Sequence, residues 1–286
     1  MKLFLALELQ GSTARFVKFL DSAAASGANA AVLCGDLTGS TVVPIVRTSN
    51  GHCHCTLADG RVDIATREEL AHVKASIELS GGYWILQSDD EFRQTCADAA
   101  TVEMLFKSVT FERLNEWMQI ADEHLRKHPQ RVLIAAGTGD WQFVDGVIAR
   151  SQLLEPCDNS VVAIDGHEVV TSSLGPPTRW SAPREVPEDE LGKRLRALCA
   201  QVQRPENAVV LLASDCKAAA KALRDFQPLL RVHRLTPGPM GTSHRSGPTL
   251  SLDPGPQLTE SEDSSLRAIV AVLGDRAVEE WSFVTV

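Results

Sequence analysis

The strongest constraint on this chain is an apolar run that stops at glycine and an acid, and it occurs twice. Residues 32–39 read Val-Leu-Cys-Gly-Asp-Leu-Thr-Gly, and residues 132–140 read Val-Leu-Ile-Ala-Ala-Gly-Thr-Gly-Asp. A short, unbroken run of β-favouring apolar residues describes a strand buried on both faces, which is the habit of parallel sheets covered by helices. Open α/β sheets place their ligands just beyond the carboxyl ends of such strands. Asp36 is therefore the first candidate functional residue, with Asp140 and Thr138 in the corresponding place on the second run. The same grammar also describes an ordinary strand-to-loop turn, so the surroundings have to decide between the two.

Those surroundings supply a β-α-β unit. Leu3–Leu9 is strand-like, Ser12–Ser26 spaces Phe16, Val17, Phe19 and Leu20 as an amphipathic helix does, and Asn29–Cys34 is the next strand. With right-handed parallel connection, Glu8, Gln10 and Asp36 all fall at the carboxyl ends of neighbouring strands.

Length and charge narrow the class. A chain of 286 residues has material for one large α/β domain. A formal net charge of -9 argues against broad charge-driven capture of nucleic acid or an anionic membrane. The opening Met-Lys-Leu-Phe-Leu-Ala-Leu-Glu is broken by Glu8 and Gln10 and is read as a strand rather than a signal peptide. No apolar run approaches the roughly 18 residues of a membrane span, and the expected location is cytoplasmic. Seven cysteines lack the dense, even spacing of a secreted disulfide scaffold. Cys53-His54-Cys55 after His52 offers part of a soft-metal shell, but with no second Cys/His pair it reads better as a hairpin strand.

Further along, residues 40–65 read as short strands broken by Ser49-Asn50-Gly51 and Asp59-Gly60. Residues 66–80 and 101–127 show helical spacing, the longer one burying Phe106, Val109, Leu114, Trp117, Ile120 and Leu125. Together these form an inserted hairpin and helical segment over about 40–130 of a single domain spanning 1–286. A helix follows at 142–150, with strands near 161–164 and 168–172. Residues 174–185 form a loop stiffened by prolines and carrying Arg179, Trp180 and Arg184. Pro187–Val202 is a helix with Glu188, Asp189 and Glu190 in its first turn. Ala208–Ala213 is a strand, Ser214-Asp215 caps a helix to about Phe226, and Leu229–His233 is a strand. Residues 236–256, rich in Pro, Gly and Ser with only 249–252 strand-like, read as a mobile segment. Two strands around Gly274-Asp275 close the chain.

The order Glu8-Leu9-Gln10-Gly11, Gly35-Asp36-Leu37-Thr38-Gly39, Gly137-Thr138-Gly139-Asp140, the strand to Ala213, and His233-Arg234-Leu235-Thr236-Pro237 resembles the calcineurin-like metallophosphoesterase family. That family carries D-x-H, G-D, G-N-H/D, a lone His and G-H-x-H on a four-layer αββα sandwich of two mixed β-sheets. Val-Pro-Ile-Val at 43–46 and the Pro, Trp and Arg loop at 174–185 are similar to a prokaryotic branch of it. The resemblance implies an α/β fold of that kind with a mainly helical insertion. It also implies the chemistry for which the family needs its ligands: two divalent cations, bridged by a carboxylate, polarise a phosphate and generate a hydroxide.

Asp36 matches the bridging carboxylate, but most other positions depart. Glu8 stands for the first Asp, Gln10 for its His, Thr138 for the Asn ligand and Gly139 for the residue acting on the leaving group. Ala213 stands at the lone His, and Leu235 and Pro237 at the two His of G-H-x-H. Only Asp36 and Glu8 remain as residual metal candidates. Two unneutralised carboxylates in one crevice need a protein cation instead, and Arg234, standing where the family has glycine, is expected to pair with Asp36.

The main expectation is thus a degenerate metallophosphoesterase fold without metal or hydrolase activity, a pseudoenzyme acting as a binding or regulatory protein. Its vestigial site is made of Glu8, Gln10, Asp36, Thr138, Asp140, Arg184, His233 and Arg234. Its partner would be a phosphate-containing small molecule or another protein. One alternative keeps hydrolysis through a rearranged site, with manganese or another divalent metal on Asp36, Glu8 and Asp140 and a His233 or His244 ligand. Another is a nucleotide or phosphate-compound binding module, with Arg179, Arg184, Arg231 and Arg234 as guanidinium contacts and Trp180 as a stacking surface or a packing plug. Cys34, buried in its strand, and the absence of any Ser-His-Asp spacing argue against nucleophilic catalysis.

Overall fold

The computed structural model describes residues 1–234, 241–257 and 264–286. In chain order the elements are β1 (Lys2–Ala6), α1 (Thr13–Ser26), β2 (Ala30–Cys34), β3 (Thr41–Arg47), β4 (Cys53–Leu57), β5 (Gly60–Ile64), α2 (Arg67–Leu79) and β6 (Gly82–Ser88). They continue with α3 (Asp89–Cys96), α4 (Ala99–Lys127), β7 (Arg131–Ala135), α5 (Phe143–Ile148), β8 (Leu154–Pro156), β9 (Val161–Ile164), β10 (His167–Ser172) and α6 (Glu188–Cys199). The last are β11 (Ala208–Leu212), α7 (Lys217–Phe226), β12 (Leu230–His233), β13 (Thr242–Ser246), β14 (Thr249–Asp253), β15 (Arg267–Gly274) and β16 (Ala277–Thr285).

Two six-stranded mixed sheets face each other. The first runs β16-β15-β1-β2-β7-β8 and the second β13-β14-β12-β11-β10-β9. The second has parallel strands at its centre and an antiparallel strand at each margin, whereas the first is antiparallel from β16 through β15 to β1 and parallel from β1 through β2 and β7 to its edge at β8. The central strands alternate between two cores because successive side chains point to opposite faces. Leu3, Leu5, Val32, Cys34 and Leu133 of the first sheet meet Val209, Leu211, Val232 and Leu252 of the second between the sheets. Phe4, Ala31, Leu33 and Ile134 face outward onto α1, α4 and α5, including Phe16, Trp117 and Leu125. Val210 and Leu212 face α6 and α7. The result is the four-layer αββα sandwich expected from the sequence.

The inserted stretch builds a third sheet, β5-β4-β3-β6, with its own small core. Cys53 and Cys55 lie on β4 and pack there as reduced, buried thiols. β6 and α3 were not legible as elements, yet β6 pairs in parallel along the whole of β3. Its Tyr83, the chain's single tyrosine, is 1% exposed and accepts a hydrogen bond from the Gly39 backbone N–H at 2.8 Å, tying the insertion to the loop after β2.

Two local readings are corrected. Ser214-Asp215 does not cap α7; the cap is Cys216, whose Sγ accepts from Ala219 N–H at 3.4 Å, while Asp215 turns to Arg231. The segment read as mobile is, over 242–253, a hairpin of two strands that joins the second sheet. Residues 235–240, with Leu235 and Pro237, lie outside the described residues. Among the described residues no helix is long and apolar enough to cross a membrane.

Candidate functional site

The carboxyl ends of β1, β2 and β7 meet through backbone. After β1 the chain turns with Glu8 at φ 59° and Gln10 at φ 53°, left-handed values that ordinary residues seldom adopt. This kink points Leu9 and Gln10 N–H at the Asp36 carbonyl, 2.8 and 3.1 Å away, and Gly11 N–H at the Leu37 carbonyl. The loop after β7 closes from the other side. Asp140, fully buried, accepts from the backbone N–H groups of Gly137, Leu37 and Thr38 at 2.7–2.9 Å and from the Thr38 hydroxyl at 2.6 Å. All four of its donors come from the two loops, so Asp140 is a staple between them rather than an open ligand position.

Asp36 sits beneath that staple. Its Oδ1 accepts from Gly139 N–H at 2.8 Å. A Cβ at Gly137 would collide with Asp36 backbone and carboxylate, and one at Gly139 would lie 2.9 Å from Asp36 Oδ2. The glycine at 139 therefore matters positively: it lets the loop press its backbone against the carboxylate. Burial, then the neighbouring Asp140, raise the Asp36 pKa to about 6, against the Gly139 N–H and the Arg184 charge. The folded protein thus holds a proton that the unfolded chain releases near pH 4. Asp36 favours the fold most below that range, and the advantage is lost as pH rises through about 6.

Asp36→Asn keeps the Oδ1 acceptor and removes the charge. It is expected to stabilise the protein by about 2 kcal/mol at neutral pH and by little at pH 4. Urea unfolding at the two pH values measures this, and a loss of stability at neutral pH would assign Asp36 to a cation instead.

The expected Arg234–Asp36 pair is not formed. Arg234, from the end of β12 in the opposite sheet, pairs through Nη1 with Glu8 Oε2; the two side chains are 16% and 11% exposed. The kink at Glu8 brings its carboxylate to the end of β12, while Asp36 is held against the loop after β7. Asp253 lies near the same guanidinium and counters the pull of burial on its pKa.

The other predicted residues divide. Thr138 closes on the second sheet, donating from Oγ1 to the Ser173 carbonyl at 3.0 Å. Gln10 meets Asp36 only through its backbone N–H, and its side chain lies against Gly81 in the turn between α2 and β6. His233 stands on the other face of β12 from the inter-sheet core, with Nδ1 3.4 Å from Asp215 Oδ2 and no aligned hydrogen bond. Burial and the nearby Arg231 lower its pKa to about 4, leaving it neutral at pH 7. It is therefore not placed with Glu8 and Asp36, and His244 lies on an exposed edge strand.

Arg184, expected as an anion contact, is 7% exposed and already engaged. It donates to the Asp140 and Trp141 carbonyls at 2.8 and 3.1 Å, to Asp145 at 2.8 Å and to Asp158 at 2.9 Å. Asp158 and Ser173, which complete this network, carried no sequence signal. Arg179 lies over the Trp180 ring at 4.4 Å, and Trp180 is 75% exposed, a displayed ring rather than a plug.

These residues do not fit a two-cation centre. Gly139, Thr138 and Gln10 bring no acid or imidazole, Glu8 is taken by a guanidinium, and Asp140 by four donors. Among the described residues no group of three or more His, Cys, Asp or Glu side chains is placed to hold a metal ion.

No family model matches the sequence, and no curated protein matches it significantly. The fold does have counterparts. One crystal structure is 8% identical over 94% of this chain and 93% of its own, with a TM-score of 0.54. The protein TT1561 of Thermus thermophilus is 12% identical over 99% of this chain and 97% of its own, with a TM-score of 0.53. The sulfate thiohydrolase SoxB of Thermus thermophilus aligns with 76% of this chain and 41% of its own at 12% identity and a TM-score of 0.36, too distant to carry an argument. The first two likenesses show the fold alone.

Proposed function

We propose that this chain is a degenerate member of the calcineurin-like metallophosphoesterases, retaining the sandwich and working without metal or hydrolysis as a binding or regulatory protein. The observation that carries this reading is the Arg234–Glu8 ion pair between the sheets. The resemblance puts a cation-holding carboxylate at Glu8, and here a guanidinium supplies the positive charge. A buried carboxylate needs such a partner, and once paired it has no free charge to offer a metal. The closure of the Gly137–Asp140 loop onto Asp36 supports the same reading, since the Gly139 N–H and the tight packing at Gly137 and Gly139 hold this carboxylate against backbone rather than open to a ligand. The partner of such a protein would be a phosphate-containing small molecule or another protein.

The test combines metal analysis of the purified chain with hydrolysis of bis-(p-nitrophenyl) phosphate in added manganese. The expected result is metal well below one equivalent and no turnover above that of Asp36→Asn. Stoichiometric metal together with turnover that Asp36→Asn abolishes would overturn the proposal and restore the hydrolase alternative.

A further inference from the structure

The outer face of the second sheet is apolar only where α6 and α7 cover it. Beyond α7, at the corner formed by β12, β14 and β13, it becomes polar. The strand registers place Arg231 opposite Ser251, and Ser251 opposite His244. One row running across three adjacent strands thus presents a guanidinium, a hydroxyl and an imidazole on one face. The next position along brings Ser246 opposite Thr249. Arg224, on the last turns of α7, closes the space from above, and a cleft of about 320 Å³ lies between helix and hairpin.

Three observations separate this cleft from an ordinary solvated edge. The residues lining it include no carboxylate, although the chain as a whole carries a formal charge of -9. Arg224, His244, Ser246 and Ser251 make no side-chain hydrogen bond or ion pair among the described residues. Arg231 is paired with Asp215 through Nη2, but its buried Nε has no partner. A buried donor left unpaired costs about 1–3 kcal/mol, and the Asp215 carboxylate that balances Arg231 leaves the nearby Arg224 charge without an anion in the cleft.

Neighbouring strands lie about 4.8 Å apart, so donors on alternate sides of Ser251 can both reach one tetrahedral oxyanion at charge-assisted hydrogen-bond distances of about 2.8 Å. The cleft is larger than the oxyanion itself, and Leu223 and Ala220 give it an apolar wall. We propose that this cleft binds the phosphate group of a small phosphate monoester, held by Arg224, Arg231 and His244 with Ser251 beneath it. The site is separate from the Glu8–Arg234 crevice, and it stands or falls independently of whether that crevice holds metal.

The experiment follows the His244 ring resonance by NMR as the full chain is titrated with inorganic phosphate, and then with glucose 6-phosphate, against chloride at matched ionic strength. Saturable shifts are expected with a Kd of about 1 mM or tighter, and the ester is expected to bind more tightly than inorganic phosphate. Arg224→Gln, an exposed and unpaired position, is expected to weaken binding at least tenfold, whereas Arg179→Gln, away from the cleft, leaves it unchanged. Absence of saturation, or equal affinity in Arg224→Gln, would overturn the site. An ester that binds no better than inorganic phosphate would overturn the assignment to a monoester.

Discussion

Arg184→Leu is expected to lower the thermal midpoint by about 10 °C. The guanidinium is the hub where the loop after β7, the loop after β8 and the Pro-rich loop before α6 meet, through the carbonyls of Asp140 and Trp141 and the carboxylates of Asp145 and Asp158. Asp145 is half exposed and regains water when the arginine is removed; Asp158, with 16% of its side chain exposed, does not. Removing one partner of a buried charge pair typically costs about 3–5 kcal/mol. At roughly 2–4 °C per kcal/mol for a protein of this size, that gives the stated shift. Arg184→Lys keeps a charge but not the planar fork, so it should recover less than half of the loss. Circular-dichroism melting of the two variants decides the matter. A fully stable Arg184→Leu would mean that the guanidinium is free to serve as the anion contact the sequence suggested.

What the sequence disclosed follows from how locally each feature is encoded. The central strands were legible because Ala30–Cys34, Ala208–Leu212 and all of β7 after Arg131 are buried on both faces and must be apolar. β13 was hidden for the opposite reason: its Thr-Ser-His-Arg-Ser run lies exposed at a sheet edge, so backbone pairing with β14 alone fixes it. The position of Asp36 at a strand end was visible, but its environment was not. An acid after Gly-Thr-Gly reads alike whether it faces a ligand or, as Asp140 does, accepts backbone N–H groups from a loop a hundred residues away. The partner of Arg234 depended on which loop of the facing sheet meets the end of β12, a long-range contact that no spacing within one strand records.

That partner can be identified by coupling energies. Arg234→Leu is expected to destabilise the protein by about 3–5 kcal/mol at neutral pH, because it leaves the buried Glu8 carboxylate without the guanidinium it pairs with. Glu8→Gln should relieve much of that loss, since an uncharged amide and a leucine of similar bulk can share the space without an orphaned charge. The Glu8→Gln/Arg234→Leu double variant is therefore expected to be more stable than the sum of its parts by at least about 1 kcal/mol. Asp36→Asn/Arg234→Leu should be additive within about 0.5 kcal/mol, because Asp36 is held by Gly139 rather than by the arginine. Denaturant unfolding of the single and double variants measures both couplings. Coupling to Asp36 in place of Glu8 would return the cation to the carboxylate at the end of β2, and the kink after β1 would then hold an unpaired acid.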